Sequence, residues 1–407
     1  MAEFLIEPRI RGFISLTSHP AGCAKNIDLQ IERIRSEHLP AGQKNGLQNV
    51  LVIGSSTGYG LGAALTACFG YGANVLGVCF ERKPEGEKPG SAGWYNSARA
   101  SETAAQDNLI FQTINGDAFS DDIKTQTIES IKKEYGKIDL VVYSLAAPRR
   151  NDGQGNVWNS VLKPIDQRYE GKSFDLRKES ITDISIEPAT ADEILGTQKV
   201  MGGEDWQEWI ELLAGHKLLA DGARTVAFSY IGPEITQALY RNGTIGEAKK
   251  HLENTAIALD KVLGQTSNNT TGAVGGAWIS VNKAVVTQAS SAIPVVGLYM
   301  SILFRLLNER NENESTCEQG IRLLRDHLAP HSEPSLDEAG RIRIDDFEMA
   351  DDVQHAITEI WPIISNNNFA DLADWPYFKK EFANLFGFEI SGVDYSLPVE
   401  VDIPLNS

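Results

Sequence analysis

The sequence lacks several features that mark common protein classes. Its 407 residues include only four cysteines, none in a Cys-x-x-Cys pair, so neither a disulfide framework nor a thiolate metal site is predicted. Basic residues are also scarce, since 37 lysines and arginines stand against 55 aspartates and glutamates, for a net charge of −18. A chain this acidic is expected to bind neither nucleic acid nor an anionic membrane surface.

Long apolar runs and metal-binding patterns are missing as well. The most apolar stretch, residues 289–304, contains Pro294 and is shorter than the roughly 20 residues that a membrane helix needs. The N-terminus carries acids where a signal peptide carries bases and an apolar core, and the few cysteines suit a reducing compartment, so we expect a cytoplasmic protein. The seven histidines form no metal-binding pattern, so no metal is predicted.

What the sequence does contain is an alternation of apolar strand-like runs with amphipathic helical runs, which is typical of a parallel sheet covered by helices. Strands are predicted at 49–54, 74–81, 109–115, 138–145, 224–230 and 277–282. The predicted class is therefore α/β, with a Rossmann-type, doubly wound parallel sheet. We divide the chain into an N-terminal extension (1–48), a nucleotide-binding and catalytic core (49–310) with an inserted substrate region at about 148–222, and a C-terminal helical extension (311–407).

A glycine-rich turn follows the first predicted strand. Its G-x-x-x-G-x-G pattern consists of Gly54, Ser55, Ser56, Thr57, Gly58, Tyr59 and Gly60. In such turns glycine lets the backbone approach a pyrophosphate, and the unpaired N–H groups at the helix start hold the anion. The pattern predicts dinucleotide binding, and a turn that only packs tightly is the alternative.

The next strand end indicates which dinucleotide would bind. Glu81 stands 21 residues after Gly60, close to the roughly 20-residue spacing of the acid that binds an adenosine ribose. A carboxylate there repels the 2′-phosphate of NADP, so NADH is the predicted cofactor. Arg82 and Lys83 keep the opposite preference open, because they would attract that phosphate. At the ends of the third and fourth strands, adenine and the nicotinamide ribose would meet Asp117, Ala118, Leu145 and Ala146.

Tyr240 and Lys249 follow the fifth strand and form a candidate reacting pair. A nearby ammonium favours phenolate, so we expect a lowered tyrosine pKa and a phenol that protonates a developing oxyanion or enolate. Nine positions in one helix would place the two on opposite faces. However, Asn242-Gly243 is a turn signal and Thr244 to Glu247 fits a capping box, so a broken helix would let them converge. A packing tyrosine and a solvated lysine are the alternative.

The Tyr-x8-Lys spacing on a short-chain-dehydrogenase-like frame resembles the NADH-dependent trans-2-enoyl-CoA reductases and the single-chain enoyl-acyl-carrier-protein reductases of the FabV type. Ordinary short-chain dehydrogenases use Tyr-x3-Lys, and related enoyl reductases use Tyr-x6-Lys. The resemblance covers nearly the whole chain, although the loop at 265–276 is longer than expected. Other similar stretches are Arg9–Ile14, Gly93–Asn96, Tyr143–Pro148, Met201–Trp206, Tyr230–Glu234, Ser280–Thr287 and Arg341–Asp345.

The resemblance implies an enzyme that reduces the trans-2 double bond of enoyl-CoA or enoyl-acyl-carrier-protein with NADH, the last reductive step of fatty acid elongation. It implies Tyr240 as proton donor, Lys249 as its partner and an NADH ligand, and Tyr230 as hydrogen-bond donor to the substrate thioester. The implied cofactor-lining residues are Gly54 to Tyr59, Phe80, Glu81, Asp117, Ala118, Leu145, Ala146, Lys249, Val285, Val286 and Thr287.

Several questions stay open at this point. The same Tyr/Lys chemistry would serve a carbonyl reductase, and a non-catalytic NAD(H)-binding regulator is a second alternative. We expect a monomer with an acyl thioester substrate. An acyl carrier protein as partner is itself acidic and would need a basic docking patch, which we place near Arg149 and Arg150. The apolar residues 292–307 form either plain core or a wall of the acyl pocket.

Overall fold

The computed structural model describes residues 3–11, 14–40, 47–175, 178–264, 275–291, 293, 295–330 and 332–405. At its centre lies a seven-stranded sheet with the order β7-β6-β5-β4-β1-β2-β3, in which all neighbours are parallel. The strand order reverses between β1 and β4, so the predicted doubly wound sheet is confirmed. The strands are β1 (Asn49–Ile53), β2 (Asn74–Cys79), β3 (Phe111–Asn115), β4 (Ile138–Tyr143), β5 (Leu219–Ser229), β6 (Gly276–Asn282) and β7 (Ile342–Ile344).

Predicted and observed strand boundaries differ by one residue in β1 and β6, by two in β2, β3 and β4, and by up to five in β5. β2 ends at Cys79 and β4 at Tyr143, each two residues earlier than predicted, because the chain leaves the sheet at its carboxyl edge. β5 begins at Leu219 rather than at residue 224, and its pairing with β4 shifts register between Leu219 and Arg224. The irregular pairing interrupts the alternation that sequence patterns depend on.

Helices cover both faces of the sheet, so the inner strands are mostly apolar. One face packs on α1, α2, α3 and α11, the other on α4, α6 and α8, while α10, α12 and α14 form a third cluster. The helices are α1 (Pro20–Ser36), α2 (Gly58–Leu65), α3 (Ala92–Gln106), α4 (Asp121–Ser130), α5 (Ala191–Met201), α6 (Glu204–Gly215), α7 (Glu234–Gln237), α8 (Thr244–Gly264), α9 (Gln288–Ser291), α10 (Val296–Arg310), α11 (Thr316–Leu323), α12 (Asp351–Ile363), α13 (Phe369–Leu372) and α14 (Trp375–Asn384).

Short antiparallel pairs and π-helical segments complete the fold. Glu3–Phe4 pairs with Val399–Glu400, so the two ends of the chain meet. The predicted insertion contains two hairpins followed by α5 and α6, although the division into 1–48, 49–310 and 311–407 stays a prediction. The remaining pairs are Ile10–Arg11 with Ile14–Ser15, Arg149–Asn151 with Val157–Asn159, and Tyr169–Asp175 with Ser180–Ile186, and the π-helical segments are Thr66–Gly70, Ile131–Tyr135 and Leu324–Leu328.

Within the described ranges, no helix is both long enough and apolar enough to cross a bilayer. The predicted apolar wall at 292–307 includes most of α10, whose Leu298, Ile302 and Leu303 are fully buried against α12 and α14. This part of the run therefore contributes to the third core cluster. Residues 265–274 of the loop predicted to be long lie outside the described residues.

Two tryptophans of α6 anchor the insertion to the core. Trp206 and Trp209 are both fully buried, but only Trp206 has an acceptor, because its Nε1–H donates to Thr225 Oγ1 over 2.9 Å. The Thr225 hydroxyl in turn donates to Val141 O over 2.9 Å, which joins α6 to β5 and β4. Trp209 Nε1 is buried with no hydrogen-bond partner among the described atoms.

Trp206→Phe should destabilise the protein by about 1 kcal/mol more than Trp209→Phe, the net value of one buried hydrogen bond. Both changes remove the same ring atoms from fully buried positions, so Trp209→Phe is a matched control. Urea unfolding measures the two free energies of unfolding. Equal losses, or a larger loss for Trp209→Phe, would contradict the assigned hydrogen bond.

Candidate active site

The glycine-rich turn connects β1 to α2 through very close backbone contacts. Gly54 has φ +90°, and a Cβ placed there would lie 2.4 Å from Ser144 O, while a Cβ on Gly60 would lie 2.0 Å from Gly54 O. Thr57 is the N-cap of α2 and its side chain makes no capping hydrogen bond. The turn is therefore tightly packed, and it also presents the positive end of a helix at the sheet edge, which suits a pyrophosphate.

The carboxylate of Glu81 lies against this turn. Its Oε1 accepts a 2.5 Å hydrogen bond from Ser56 Oγ, and its Oε2 accepts one from Ser91 Oγ. The Arg82 guanidinium instead donates to two main-chain carbonyls, Leu16 O and Pro89 O, at 3.4 Å each. This arrangement fits a ribose diol better than a 2′-phosphate, because the anion beside the turn is a carboxylate and Arg82 is engaged elsewhere.

The other predicted cofactor residues also lie at the carboxyl edge of the sheet. Ser55 is buried, with its Oγ on Val78 O, and the Tyr59 hydroxyl donates to Lys283 O over 2.6 Å. Asp117 Oδ1 accepts from Phe119 N over 3.0 Å, so this carboxylate is oriented by its own turn. The remaining predicted residues lie just after the ends of β2, β3, β4 and β6. Phe80 and Ala146 are exposed, Leu145 is half-buried and Ala118 is buried, and the segment after β6 contributes Val285, Val286 and Thr287.

A cavity of about 250 Å³ joins the turn to the segment after β6. It brings together two stretches that are more than 200 residues apart in the sequence, and its far wall comes from α10, α11 and α14. Phe304 of α10 is part of that wall, so the apolar run serves both core and cavity. The predicted site residues among its lining are Thr57, Gly58, Val285, Val286 and Thr287.

The predicted break between Tyr240 and Lys249 is confirmed, because α7 ends at Gln237 and α8 begins at Thr244. The predicted capping box is wrong. The Thr244 hydroxyl donates to Val161 O and accepts from Lys163 N, so it ties the start of α8 to the insertion. Lys249 Nζ donates to Phe228 O over 2.8 Å, at the end of β5.

The tyrosines meet edge to face beside this point. The ring centroids of Tyr230 and Tyr240 are 4.8 Å apart at an interplanar angle of 84°. Both side chains, like that of Lys249, are half-buried and so line the accessible part of the site. The geometry thus places two phenols and one amine at the carboxyl end of β5.

The expected lowering of the tyrosine pKa is wrong. Burial raises the pKa of Tyr240 to about 12, and the negative charge of Glu348 adds to the shift. Burial lowers the pKa of Lys249 to about 8, against the opposing charge of Glu253. Tyr240 therefore keeps its proton at neutral pH, while the Lys249 ammonium is lost as the pH rises through about 8.

Three buried side chains behind the tyrosines were missed by sequence reasoning. Glu348, Tyr299 and Lys283 are all fully buried, and the hydroxyls of Tyr230 and Tyr299 donate to Glu348 Oε1 over 2.8 and 2.7 Å. Weak signals were present, since Lys283 lies inside a family-like stretch and Glu348 follows another by three residues. Neither signal says that these side chains meet.

The predicted docking patch at Arg149 and Arg150 is wrong for Arg150. Its side chain is 4% exposed and forms ion pairs with Glu204 and Glu208 at 3.3 and 2.9 Å. It also donates to Lys199 O over 3.0 Å. Arg150 therefore belongs to a buried charge cluster, and only Arg149 is exposed.

Comparisons with known proteins agree with this geometry. Residues 5–86 match the NAD(P)H binding domain of trans-2-enoyl-CoA reductase, residues 88–329 its catalytic region, and residues 336–399 an enoyl reductase FAD binding domain. The chain belongs to the trans-2-enoyl-CoA reductase family. This membership confirms the resemblance and the class of NADH-dependent enoyl reductase predicted from the sequence.

Members of the family match over almost their whole length. The enoyl-[acyl-carrier-protein] reductase [NADH] of Erwinia tasmaniensis is 48% identical over 404 residues, 99% of each chain. The trans-2-enoyl-CoA reductase [NADH] of Clostridium perfringens is 48% identical over 398 residues, covering 98% of this chain and 99% of its own. The crystal structure of the Treponema denticola trans-2-enoyl-CoA reductase in complex with NAD superposes with a TM-score of 0.90 at 43% identity, over 98% of both chains.

Gly60→Ala should destabilise this family member by about 1–3 kcal/mol, because the new methyl group would collide with the Gly54 carbonyl at the turn. Gly215→Ala, at the end of α6, is the control. A Cβ at that position meets no atom within 4 Å, so the change should be neutral or slightly stabilising. Urea unfolding compares both with the parent, and a Gly60→Ala protein as stable as the parent would show that the turn is not tightly packed.

Proposed function

We propose that this protein reduces the trans-2 double bond of an enoyl thioester with NADH. The observation that carries the proposal is the pair of half-buried phenols, Tyr230 and Tyr240. They lie at the carboxyl edge of the sheet, where the glycine-rich turn after β1 also lies. Relatives of nearly equal length are named as NADH-dependent reductases of enoyl-CoA and of enoyl-acyl-carrier-protein. Their names support an enoyl thioester as the substrate class. Whether coenzyme A or acyl carrier protein carries the acyl group is a separate part of the proposal.

The residues present fit a dinucleotide on two observations. A Cβ on Gly54 or Gly60 would collide with the backbone, so only glycine allows this compact turn before α2, and Glu81 Oε1 lies 2.5 Å from Ser56 Oγ in the same turn. NADH, when bound here, supplies the hydride that the β-carbon of the substrate accepts. The residues proposed to hold it are Gly54 to Tyr59, Phe80, Glu81, Asp117, Ala118, Leu145, Ala146, Lys249 and Val285 to Thr287.

Tyr240 is the proposed proton donor. Addition of hydride to the β-carbon leaves an enolate, whose charge lies mostly on the thioester oxygen and whose α-carbon then takes a proton. A phenol with a pKa of about 12 holds its proton until the enolate forms, and the enolate is basic enough to take it. Tyr230 is proposed to donate a hydrogen bond to the oxyanion, the type of interaction that usually lowers such barriers most.

Lys249 is proposed to act as a cation beside the nicotinamide ribose. Its Nζ is fixed by Phe228 O, so the ammonium has further donors for ribose hydroxyls. Because its pKa is lowered to about 8, that charge is present below pH 8 and lost above it. Anionic cofactor phosphates would favour the charged form.

We further infer a cytoplasmic setting, because all four cysteines are buried free thiols, as expected in a reducing compartment. The monomeric state stays a prediction. For the carrier, we propose coenzyme A as the first thioester to test. Arg150 cannot contribute to the predicted basic patch for an acyl carrier protein, because it is buried in ion pairs with Glu204 and Glu208.

The proposal is tested by following the loss of NADH absorbance with crotonyl-CoA. We expect turnover with NADH, much less with NADPH, and a fall in kcat of about 10²–10⁴-fold in Tyr240→Phe, the usual share of a general acid. Tyr71→Phe is the matched control. Tyr71 is buried in the core cluster of α1, α2, α3 and α11, whereas Tyr240 packs against the third cluster, so this change should leave kcat unchanged. NADH binding without turnover on any enoyl thioester would favour a carbonyl reductase or a regulator instead.

A further inference from the structure

Glu348 is the one carboxylate of the buried group behind the tyrosines. It stands four residues after β7 and accepts hydrogen bonds from three separate elements. Tyr230 Oη after β5 and Tyr299 Oη of α10 both reach Oε1, and Ala284 N after β6 reaches Oε2 over 2.6 Å. Ala284 directly precedes the proposed cofactor segment 285–287. One carboxyl group therefore holds the substrate-side phenol and the cofactor-side backbone together.

This arrangement conflicts with the role proposed for Tyr230. A phenol carries one proton, and Tyr230 donates it to Glu348 Oε1 over 2.8 Å. While it does so, it has no proton to donate to a thioester oxygen. Tyr230 can serve both partners only if it accepts a hydrogen bond from Glu348, which requires the carboxyl group to carry a proton of its own.

The surroundings of Glu348 favour that protonated form. Burial raises its pKa, and the hydrogen bonds that it accepts, with the charge of Lys283, oppose the rise. The nearby ammonium of Lys283 donates to Ala284 O and Asn313 Oδ1 over 2.9 Å each, so its hydrogen bonds go to neutral acceptors. The titratable groups that interact with this carboxyl group are Tyr59 of α2, Tyr230 and Tyr240 around α7, Lys283 after β6 and Tyr299 of α10, and Asp345 after β7 acts on Tyr59.

We propose that Glu348 is a positioning residue that is neutral in the substrate complex, where its O–H donates to Tyr230 Oη and turns the Tyr230 hydroxyl toward the thioester oxygen. This inference rests on the proposed function. No bond is made or broken at Glu348, because its proton stays on the carboxyl group and Tyr240 supplies the proton to the α-carbon. As a carboxylate, Glu348 would withdraw the Tyr230 hydroxyl from the substrate.

Glu348→Gln tests this directly, because the site fixes how the amide would lie. Ala284 N needs an acceptor, so the amide oxygen takes the Oε2 position and the NH₂ group faces Tyr230 and Tyr299. Toward Tyr230 the amide then donates as the neutral acid does, while the Tyr299 hydroxyl loses its acceptor. Tyr299→Phe is the matched control, since it removes one partner of Glu348 and leaves the Glu348–Tyr230 contact.

The first readout is kcat/KM for crotonyl-CoA at saturating NADH from pH 6 to pH 9.5. Loss of the Lys249 charge above about pH 8 lowers the activity of every variant, so the informative quantity is the ratio of each variant to wild type at the same pH. Glu348→Gln should lie within about threefold of wild type at pH 6 to 7, because the amide replaces a carboxyl group that is already neutral, and the ratio should hold or rise at higher pH, where ionisation of Glu348 would affect wild type and Tyr299→Phe but not the amide. A folded Glu348→Gln protein that loses 100-fold at every pH, or whose ratio to wild type falls as the pH rises, would overturn the proposal.

A second readout does not depend on that variant folding. With butyryl-CoA and NADH bound, the infrared difference spectrum of the wild type should contain the C=O band of a protonated carboxyl group, which shifts in D₂O and moves in Tyr230→Phe. Carboxylate bands alone would overturn the proposal. If the wild type does not oxidise NADH with any enoyl thioester, the proposed function itself is contradicted, whatever the Glu348 variants do.

Discussion

The parallel direction of all seven strands is the constraint on which the site depends. Because parallel strands end at the same edge, the glycine turn after β1, the phenols after β5, Ala284 after β6 and Glu348 after β7 come together from across the chain. The order reverses between β1 and β4, which opens a crevice at that edge. The backbone at Gly54, after β1, lies so close to Ser144, after β4, that a Cβ on Gly54 would be 2.4 Å from Ser144 O.

Burial then decides the protonation states in this crevice. Tyr230, Tyr240 and Lys249 are half-buried, while the groups behind them, Glu348, Tyr299 and Lys283, have no exposed surface. Removing water disfavours charge, so the pKa of Tyr240 rises and that of Lys249 falls. A phenol kept neutral and an amine poised near neutrality suit a reaction that ends in proton transfer to carbon. Despite the overall charge of −18, the N-terminus of α2 offers the positive end of a helix dipole to an anion.

Much of the fold and part of the site could be predicted from the sequence because those signals are local. Strand periodicity, the glycine turn and the Asn242-Gly243 break each depend on neighbouring residues. The errors concern distant partners. Thr244 bonds to residues more than 80 positions away, Arg150 pairs with acids about 50 positions away, and Glu348 meets Tyr230 across 118 positions. Only folding brings these groups together, and only folding removes the water that shifts the tyrosine pKa.

The central claim is that hydride reaches the β-carbon and a proton reaches the α-carbon at this edge. NADH deuterated at both C4 positions, with crotonyl-CoA in ordinary water, tests it most directly through the NMR spectrum of the butyryl-CoA formed. We predict one deuterium at the β-carbon and only hydrogen at the α-carbon, and the reverse labelling in D₂O with unlabelled NADH. Deuterium at the α-carbon, or a carbonyl-reduced product that keeps its double bond, would contradict the account.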